Sequence, residues 1–352
     1  MTILYILLAI LIFGFLIFIH EFGHFIAAKL LGVRVNEFSI NMGPKLFGWK
    51  RGETQYSFRL IPIGGYCAME GESEASDDPR AFSNAGVLKR LAILVSGSAT
   101  NFFIGFLILT ILCAGASGFV TPKLSGFYGD VAEQTGFCVG DEIVRINGER
   151  VFLQSDVPML FERGNGVYDV TVRRDGKLTR LTNVPLRLRE FEIDGEKTLK
   201  YGLIFTAEEA NIGSVLKTAW LSALNDARLV WLGLRDLVNG AVGIDQISGP
   251  VGIVSVMAET GKSAQSVGDA VRMLAYFTAF LSINLAVMNM LPIPALDGGR
   301  AFLLLVKTAL EKLLRRPIPE KYENRIHQVG LLLLLAFIAC ITLKDVWQLF
   351  RS

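Results

Sequence analysis

The stretch FIHEFGHFIAAK (residues 18–29) sets two histidines and a glutamate at the end of an apolar run, Ile3 to Ile19, that carries no charge. About 20 consecutive apolar residues are enough for a helix to cross a bilayer core. The run therefore predicts a first span from Ile3 to about Leu31, with the polar triplet inside it. A removable leader is the competing reading. No Lys or Arg precedes the run and no small-residue cleavage site follows it, so the helix is expected to be retained. An ionisable side chain within a span costs at least about 2.5 kcal/mol by insertion scales, and is kept where it has a partner or a task.

Working outward, 51% of the 352 residues are hydrophobic and only 19% charged, below the roughly 25% charged of soluble domains. A membrane protein is the first expectation. The net charge of +2, with no block of five like charges, argues against a nucleic-acid partner. Cys67, Cys113, Cys138 and Cys340 are scattered without a CxxC pair, which points neither to a thiolate metal site nor to a disulfide framework.

Three further stretches qualify as spans: Leu91 to about Gly118, about Met273 to Leu296, and about Ile326 to Leu343. The segment Lys29 to Arg90 carries nine Lys or Arg and Arg300 to Arg325 carries seven, so both linkers are expected on the cytoplasmic side and both termini outside. The long insert after the second span would lie outside. Its part from 121 to 205 has short β-rich runs, EIVRIN, YDVTVRR and LTRLTNV, separated by the turn signals NGER and RDGK. Residues 211–240 intersperse Val215, Trp220, Leu224, Leu229, Trp231 and Leu232 with polar residues, as a surface helix or helix pair does. Asp226, Arg228, Arg235 and Asp236 disfavour a fifth span there. The expected organisation is thus a membrane core in two halves, 1–120 and 273–352, a small β-domain at 121–205, and surface helices and a linker at 206–272.

His20, Glu21 and His24 form H-E-x-x-H. On a helix the two histidines, four apart, project from one face and can share a Zn²⁺ at about 2.0–2.1 Å, with the glutamate placed to take a proton from water at the metal. A polar helix end at the headgroups is the plainer reading. It is weakened by the scarcity of histidine, since only His327 lies elsewhere. A catalytic zinc takes three protein ligands and leaves one open position. Asp297, in NMLPIPALDGGR (residues 289–300), is the best candidate for the third, being a carboxylate at the end of the third apolar stretch and on the same expected side as the histidines. The weaker alternative is an N-cap for the helix that follows, and one carboxylate serves both roles only with difficulty. Pro292 and Pro294 each remove an amide donor, which suits either a cavity wall within the membrane or an ordinary helix end. Asn284 and Asn289 offer amides to an extended substrate or an oxyanion, or else to a neighbouring helix.

Taken together, these motifs resemble the site-2 proteases, zinc metalloproteases that cut inside membranes. The resemblance rests on FIHEFGHFIAAK, on FSINMGPKLFGWKRGETQYSFRLIPIGGYC (38–67), on SGPVGI (248–253) and on SINLAVMNMLPIPALDGGR (282–300), and spans nearly the whole chain. The order of motifs is similar to the bacterial members with a PDZ domain on the outer face, the enzymes of regulated intramembrane proteolysis. The chain is thereby expected to be a polytopic α-helical membrane protein of about four transmembrane helices, with a membrane-reentrant β-hairpin and one extracytoplasmic PDZ domain. The resemblance implies His20, His24 and Asp297 as zinc ligands and Glu21 as general base. It further implies that Asn284, Asn289, Pro292 and Pro294 help bind substrate, and that Gly43, Gly64 and Gly65 shape a hairpin whose edge presents the substrate strand to zinc.

The substrates so implied are single-span membrane proteins already trimmed outside, such as anti-sigma factors or signal-peptide remnants. The location is a bacterial plasma membrane, with the active site near the cytoplasmic side. Residues 129–151 are similar to a PDZ core, whose usual role in the family is to contact substrate or gate its access. Two departures stand out: Ser98 follows Gly97 where the family often has Gly-Pro before its Asn, here Asn101, and GDVA replaces the common SPA of the PDZ turn. Three other functions compete. A protease of soluble proteins is disfavoured by the apolar flanks, a scaffold with structural zinc by the glutamate between the histidines, and a zinc transporter by the lack of ionisable ligands along several spans.

Overall fold

The computed structural model describes all residues except 1, 73, 75, 194, 195, 242, 244–248, 317 and 350–352. The chain divides into two compact units, one formed by residues 1–108 with 226–352 and the other by 109–225.

The first unit holds the apolar helices. Among the described residues, four helices are long and apolar enough to cross a membrane: Ile6–Leu30, Val87–Ala114, Val267–Asn289 and Arg325–Trp347. They belong to α1 (Thr2–Leu30), α2 (Val87–Ala114), α7 (Val267–Asn289) and α9 (Glu320–Leu349). The third differs from expectation. It starts six residues earlier and stops at Asn289, because Pro292 and Pro294 cannot donate to a helical ladder. A new helix, α8 (Asp297–Leu314), begins after the break. The helix α6 (Pro250–Ser263), with Pro250 at its first position, packs against α1 and α7.

Small residues bring α1 and α2 together. A Cβ at Gly23 would come within 2.5 Å of the Thr100 hydroxyl and 2.6 Å of the Ser96 carbonyl, so the two backbones nearly touch. Across α2, Gly105 meets Ile283 of α7 in the same way.

Between α1 and α2 lie two long antiparallel strands, β1 (Val35–Arg51) and β2 (Thr54–Met69), joined at a turn where Gly52 has φ +61°. The hairpin doubles back on itself. Glu37 aligns with both Gln55 and Ala68, and Ile40 with both Phe58 and Gly65, so residues 37–40 lie between the two halves of β2. The bend falls at Asn41 (φ +68°), Gly43 (φ +84°) and Gly64 (φ +87°). The two glycines adopt this left-handed geometry at no steric cost. The outer half carries exposed Leu46, Phe47, Trp49, Leu60 and Ile61. The inner half joins a core with Val33, Phe38, Ile93 and Leu304, where α1, α2 and α8 meet it.

In the second unit, β3 (Gly118–Phe127), β4 (Glu142–Ile146), β6 (Val167–Arg174), β7 (Lys177–Pro185) and β10 (Leu203–Glu209) order as β10-β3-β4-β6-β7, with β5 (Glu149–Arg150) paired to β4. The turn signals fall where expected, with Asn147 and Gly148 between β4 and β5 and Asp175 and Gly176 between β6 and β7, all four at positive φ. Phe161 of α4 (Asp156–Glu162) fills the core beside Leu124, Ile143, Val170 and Val172. A separate hairpin, β8 (Arg189–Ile193) with β9 (Glu196–Lys200), precedes β10. The segment 211–240 forms one helix, α5 (Ile212–Val238), and the unit boundary falls within it.

Candidate metal centre

One turn of helix α1 separates His20 from His24, and both imidazoles face α2 in a buried setting, 7% and 6% exposed. The close approach at Gly97 makes room for them. A Cβ there would overlap His24 Nε2 and come within 2.8 Å of His20 Cε1. His24 donates from Nδ1 to the Ile93 carbonyl at 2.7 Å, which fixes the ring and leaves Nε2 as the free lone pair. The amide of the fully buried Asn101 faces His20 Nδ1 at 3.5 Å.

Asp297 closes the group from the far end of the chain. It is the first residue of α8, whose N-cap position is Leu296, so its carboxylate is not spent on capping. Asp297 Oδ2 lies 2.9 Å from His20 Nε2 and 3.1 Å from His24 Nε2, and the two Nε2 atoms are 3.2 Å apart. An ion with ligand bonds of about 2.0–2.1 Å puts tetrahedral ligand atoms roughly 3.3–3.4 Å apart. The observed triangle is a near fit to one face of that tetrahedron. Two imidazoles and one carboxylate are also a donor set that zinc takes.

Glu21 points elsewhere. Its Oε2 accepts from the Cys67 backbone N–H of β2 at 3.1 Å, and a Cβ at Gly65 would stand 3.8 Å from its Cγ. The inner edge of the hairpin thus runs beside the glutamate. Gly65 leaves no room for a side chain, with the Ser39 carbonyl 2.8 Å from where its Cβ would be. Burial, together with the charges of Glu21 and Glu72, pushes the Cys67 thiol up, so it stays protonated and does not compete for a metal.

The remaining predicted residues surround this group less closely. Asn284 and Asn289 lie half-buried on α7 and make no side-chain hydrogen bond among the described residues. It is Ser282 that ties α7 to α2, donating to the Asn101 carbonyl at 2.7 Å. Pro292 and Pro294 sit in the break between α7 and α8, with Pro294 against Gly330 of α9. Gly43 and Gly64 shape the bend of the hairpin. His327 is not part of the triangle. It accepts from the Ala295 N–H at 3.2 Å.

Sequence reasoning did not find the Ile93 carbonyl or the Cys67 N–H, because backbone groups carry no residue-type signal. Gly97 and Asn101, four apart on α2, were the visible trace of the helix face against the histidines.

Comparison with known proteins places this geometry in a family. A Clostridium acetobutylicum protein provisionally named a zinc metalloprotease is 36% identical, over 97% of this chain and 97% of the relative. A Clostridium perfringens protein with the same provisional name is 34% identical over 97% and 98%. The regulator of sigma-W protease RasP of Bacillus subtilis is 26% identical over 97% and 98%. The family model of peptidase family M50 matches residues 8–337, and the chain, with its histidines, glutamate and distant aspartate so arranged, belongs to peptidase family M50.

Proposed function

We propose that this peptidase is a zinc-dependent intramembrane protease that cuts single-span membrane proteins within or near the bilayer. The observation that carries the reading is the triangle of His20 Nε2, His24 Nε2 and Asp297 Oδ2, closed at 2.9–3.2 Å within and beside helices apolar enough to span a membrane. His20, His24 and Asp297 would hold the ion. Bound there, Zn²⁺ supplies a Lewis acid that polarises a carbonyl and makes water a stronger acid. Glu21 accepts the proton of the attacking water and returns it to the leaving amine. Its place between the two histidines on the same helix supports that role.

A helical peptide bond has its carbonyl already hydrogen-bonded, so the substrate unwinds locally and pairs as a strand with the inner edge of the hairpin, next to Glu21. The doubled-back strands, with Gly64 and Gly65 at the bend, support this assignment, as do the exposed apolar residues of the outer half, which suit reentry into lipid. Asn284 and Asn289, whose amides are uncommitted, then bind substrate backbone, and Pro292 and Pro294 wall the cavity. The β-sheet domain acts as a PDZ-type module on the outer face that contacts substrate or filters access. A groove of about 540 Å³ beside α4 and β10, lined by Val157, Pro158, Leu203 and Phe205, is its docking surface. The substrates are single-span membrane proteins already trimmed outside, such as anti-sigma factors or signal-peptide remnants, in a bacterial plasma membrane with the site toward the cytoplasm; the Bacillus relative is by name a regulator of sigma-W.

The test is cleavage of a tagged single-span reporter, its outer domain removed, by wild type, Glu21→Gln and Asp297→Ala, with the zinc content of each purified protein. The reading requires that both variants fail to cut and that only Asp297→Ala loses zinc. Cleavage by Glu21→Gln would overturn it.

A further inference from the structure

Of the three residues around the proposed ion, Asp297 alone does not ride on α1, and the backbone that delivers it is strained. Between α7 and α8 the chain passes through Met290–Leu296 without regular structure, and Ala295 adopts φ +82°. For a residue with a side chain that conformation is strained and persists only where its surroundings hold it. The holding is visible on two sides. On one, Gly298 and Gly299 press against the backbone of Met290, Leu291 and Ile293 so closely that neither has room for a Cβ.

On the other side stands α9. His327 Nδ1 accepts the Ala295 N–H at 3.2 Å, and one turn on, a Cβ at Gly330 would overlap Pro294. The two residues are three apart and share a helix face, so α9 meets the strained segment as a flat wall with one acceptor. That wall is specific, since α9 is the least buried of the four candidate spans. A donor-to-ring bond of this kind also sets the tautomer, with the proton on Nε2, which is buried without a hydrogen-bond partner among the described residues and belongs to a residue lining a mixed cavity of about 220 Å³ with Glu72, Arg300 and Glu323.

We propose that His327 is a positioning residue of the zinc centre. By accepting the Ala295 N–H it locks the strained peptide two residues before Asp297, and with Gly330 against Pro294 it fixes where the third ligand's carboxylate stands. The inference rests on the assignment of Asp297 as a ligand. Nothing in the sequence pattern marks His327 for this role, since it is 30 residues beyond the aspartate and on another helix.

The imidazole geometry supplies the test. An asparagine Oδ1 falls where Nδ1 stands and can accept the same N–H, whereas a glutamine reaches only the Nε2 position. His327→Asn, His327→Gln, His327→Leu, Gly330→Ala and Asp297→Ala are prepared as full-length protein in detergent, and each is titrated for zinc against a competing chelator and assayed for reporter cleavage. Loss of an orienting partner costs about 10- to 100-fold in metal affinity. That loss is expected for His327→Leu, His327→Gln and Gly330→Ala, with cleavage falling in step, while His327→Asn stays within about threefold of wild type. Wild-type zinc affinity in His327→Leu, or an asparagine variant as impaired as the leucine one, would overturn the proposal. Should His327→Leu not fold, the Asn-against-Gln pair and Gly330→Ala decide on the same criterion. If Asp297→Ala itself keeps wild-type affinity, the ligand assignment falls; if only His327→Leu does, this inference falls alone.

Discussion

Two carboxylates, Asp141 in the β-sheet unit and Asp297 in the membrane unit, are held in opposite ways. Asp141 is fully buried and receives a two-pronged contact from Arg174, Nε to Oδ1 and Nη2 to Oδ2 at 2.8 Å each, with the Cys138 N–H completing its shell. Its charge is cancelled within the protein, and Arg174 is correspondingly held above its ordinary range by the Asp141 hydrogen bonds. Asp297 meets no guanidinium or ammonium among the described residues. Its partners are two imidazoles whose own lone pairs converge on the same point. A satisfied buried ion pair supports a fold, whereas convergent lone pairs around one carboxylate are a site that a cation completes.

The largest expected effects separate the two kinds. Replacing Glu21 by Gln is expected to lower reporter cleavage by about 10²–10⁴-fold, the usual worth of a general base, with zinc content unchanged. Asp297→Ala is expected to weaken zinc by more than the roughly 100-fold of an outer-partner loss and to abolish cleavage. If chelator titration finds normal zinc in Asp297→Ala, the contrast between the two carboxylates collapses.

Next in size, Arg174→Ala leaves Asp141 buried and unpaired, which is expected to cost about 3 kcal/mol of stability in the β-sheet unit. Thermal unfolding would register it, and zinc affinity should not move. A fall in zinc affinity would mean that the two regions are coupled.

Gly97→Ala sharpens the membrane side. Its methyl has to displace the His24 and His20 rings, so zinc affinity is expected to fall about 10-fold, while unfolding of the β-sheet unit stays as in wild type. Equal zinc affinity would show that α2 yields easily at this point.

The smallest effect is one of pH. Hydrogen bonds from Arg180 and the Asn183 N–H hold the Asp169 carboxyl below its ordinary range. A lowered carboxylate adds stability that is present above its unfolded value, near 3.9, and is lost as pH falls through the folded one. The thermal midpoint of the β-sheet unit should therefore drop between pH 5 and 3 more steeply in wild type than in Asp169→Asn. Equal slopes would remove Asp169 from the account.

Legibility differed between the regions for a physical reason. In the β-sheet unit, EIVRIN and YDVTVRR became β4 and β6, and NGER and RDGK became the turns, because side-chain alternation and positive-φ residues act over a few residues. The short helix α4, whose Phe161 fills the core, had no such signal. In the membrane unit the spans were legible as apolar lengths, although the third ended early at its prolines. The fold of the hairpin back onto itself was not, because one residue pairing with two partners leaves no mark in a linear pattern.

By itself the sequence determined that His20, Glu21 and His24 share one helix end, that Asp297 follows a proline break, and that four stretches can span a membrane, since each depends only on local spacing or on apolar length. Tertiary structure alone decided the rest. Asp297 Oδ2 lies 2.9 Å from His20 Nε2 across 277 positions because Gly23 and Gly97 let α1 and α2 close, and because Gly298, Gly299 and Gly330 let the broken segment pack between α8 and α9. Such contacts follow from how closely backbones approach, and that depends on every helix at once.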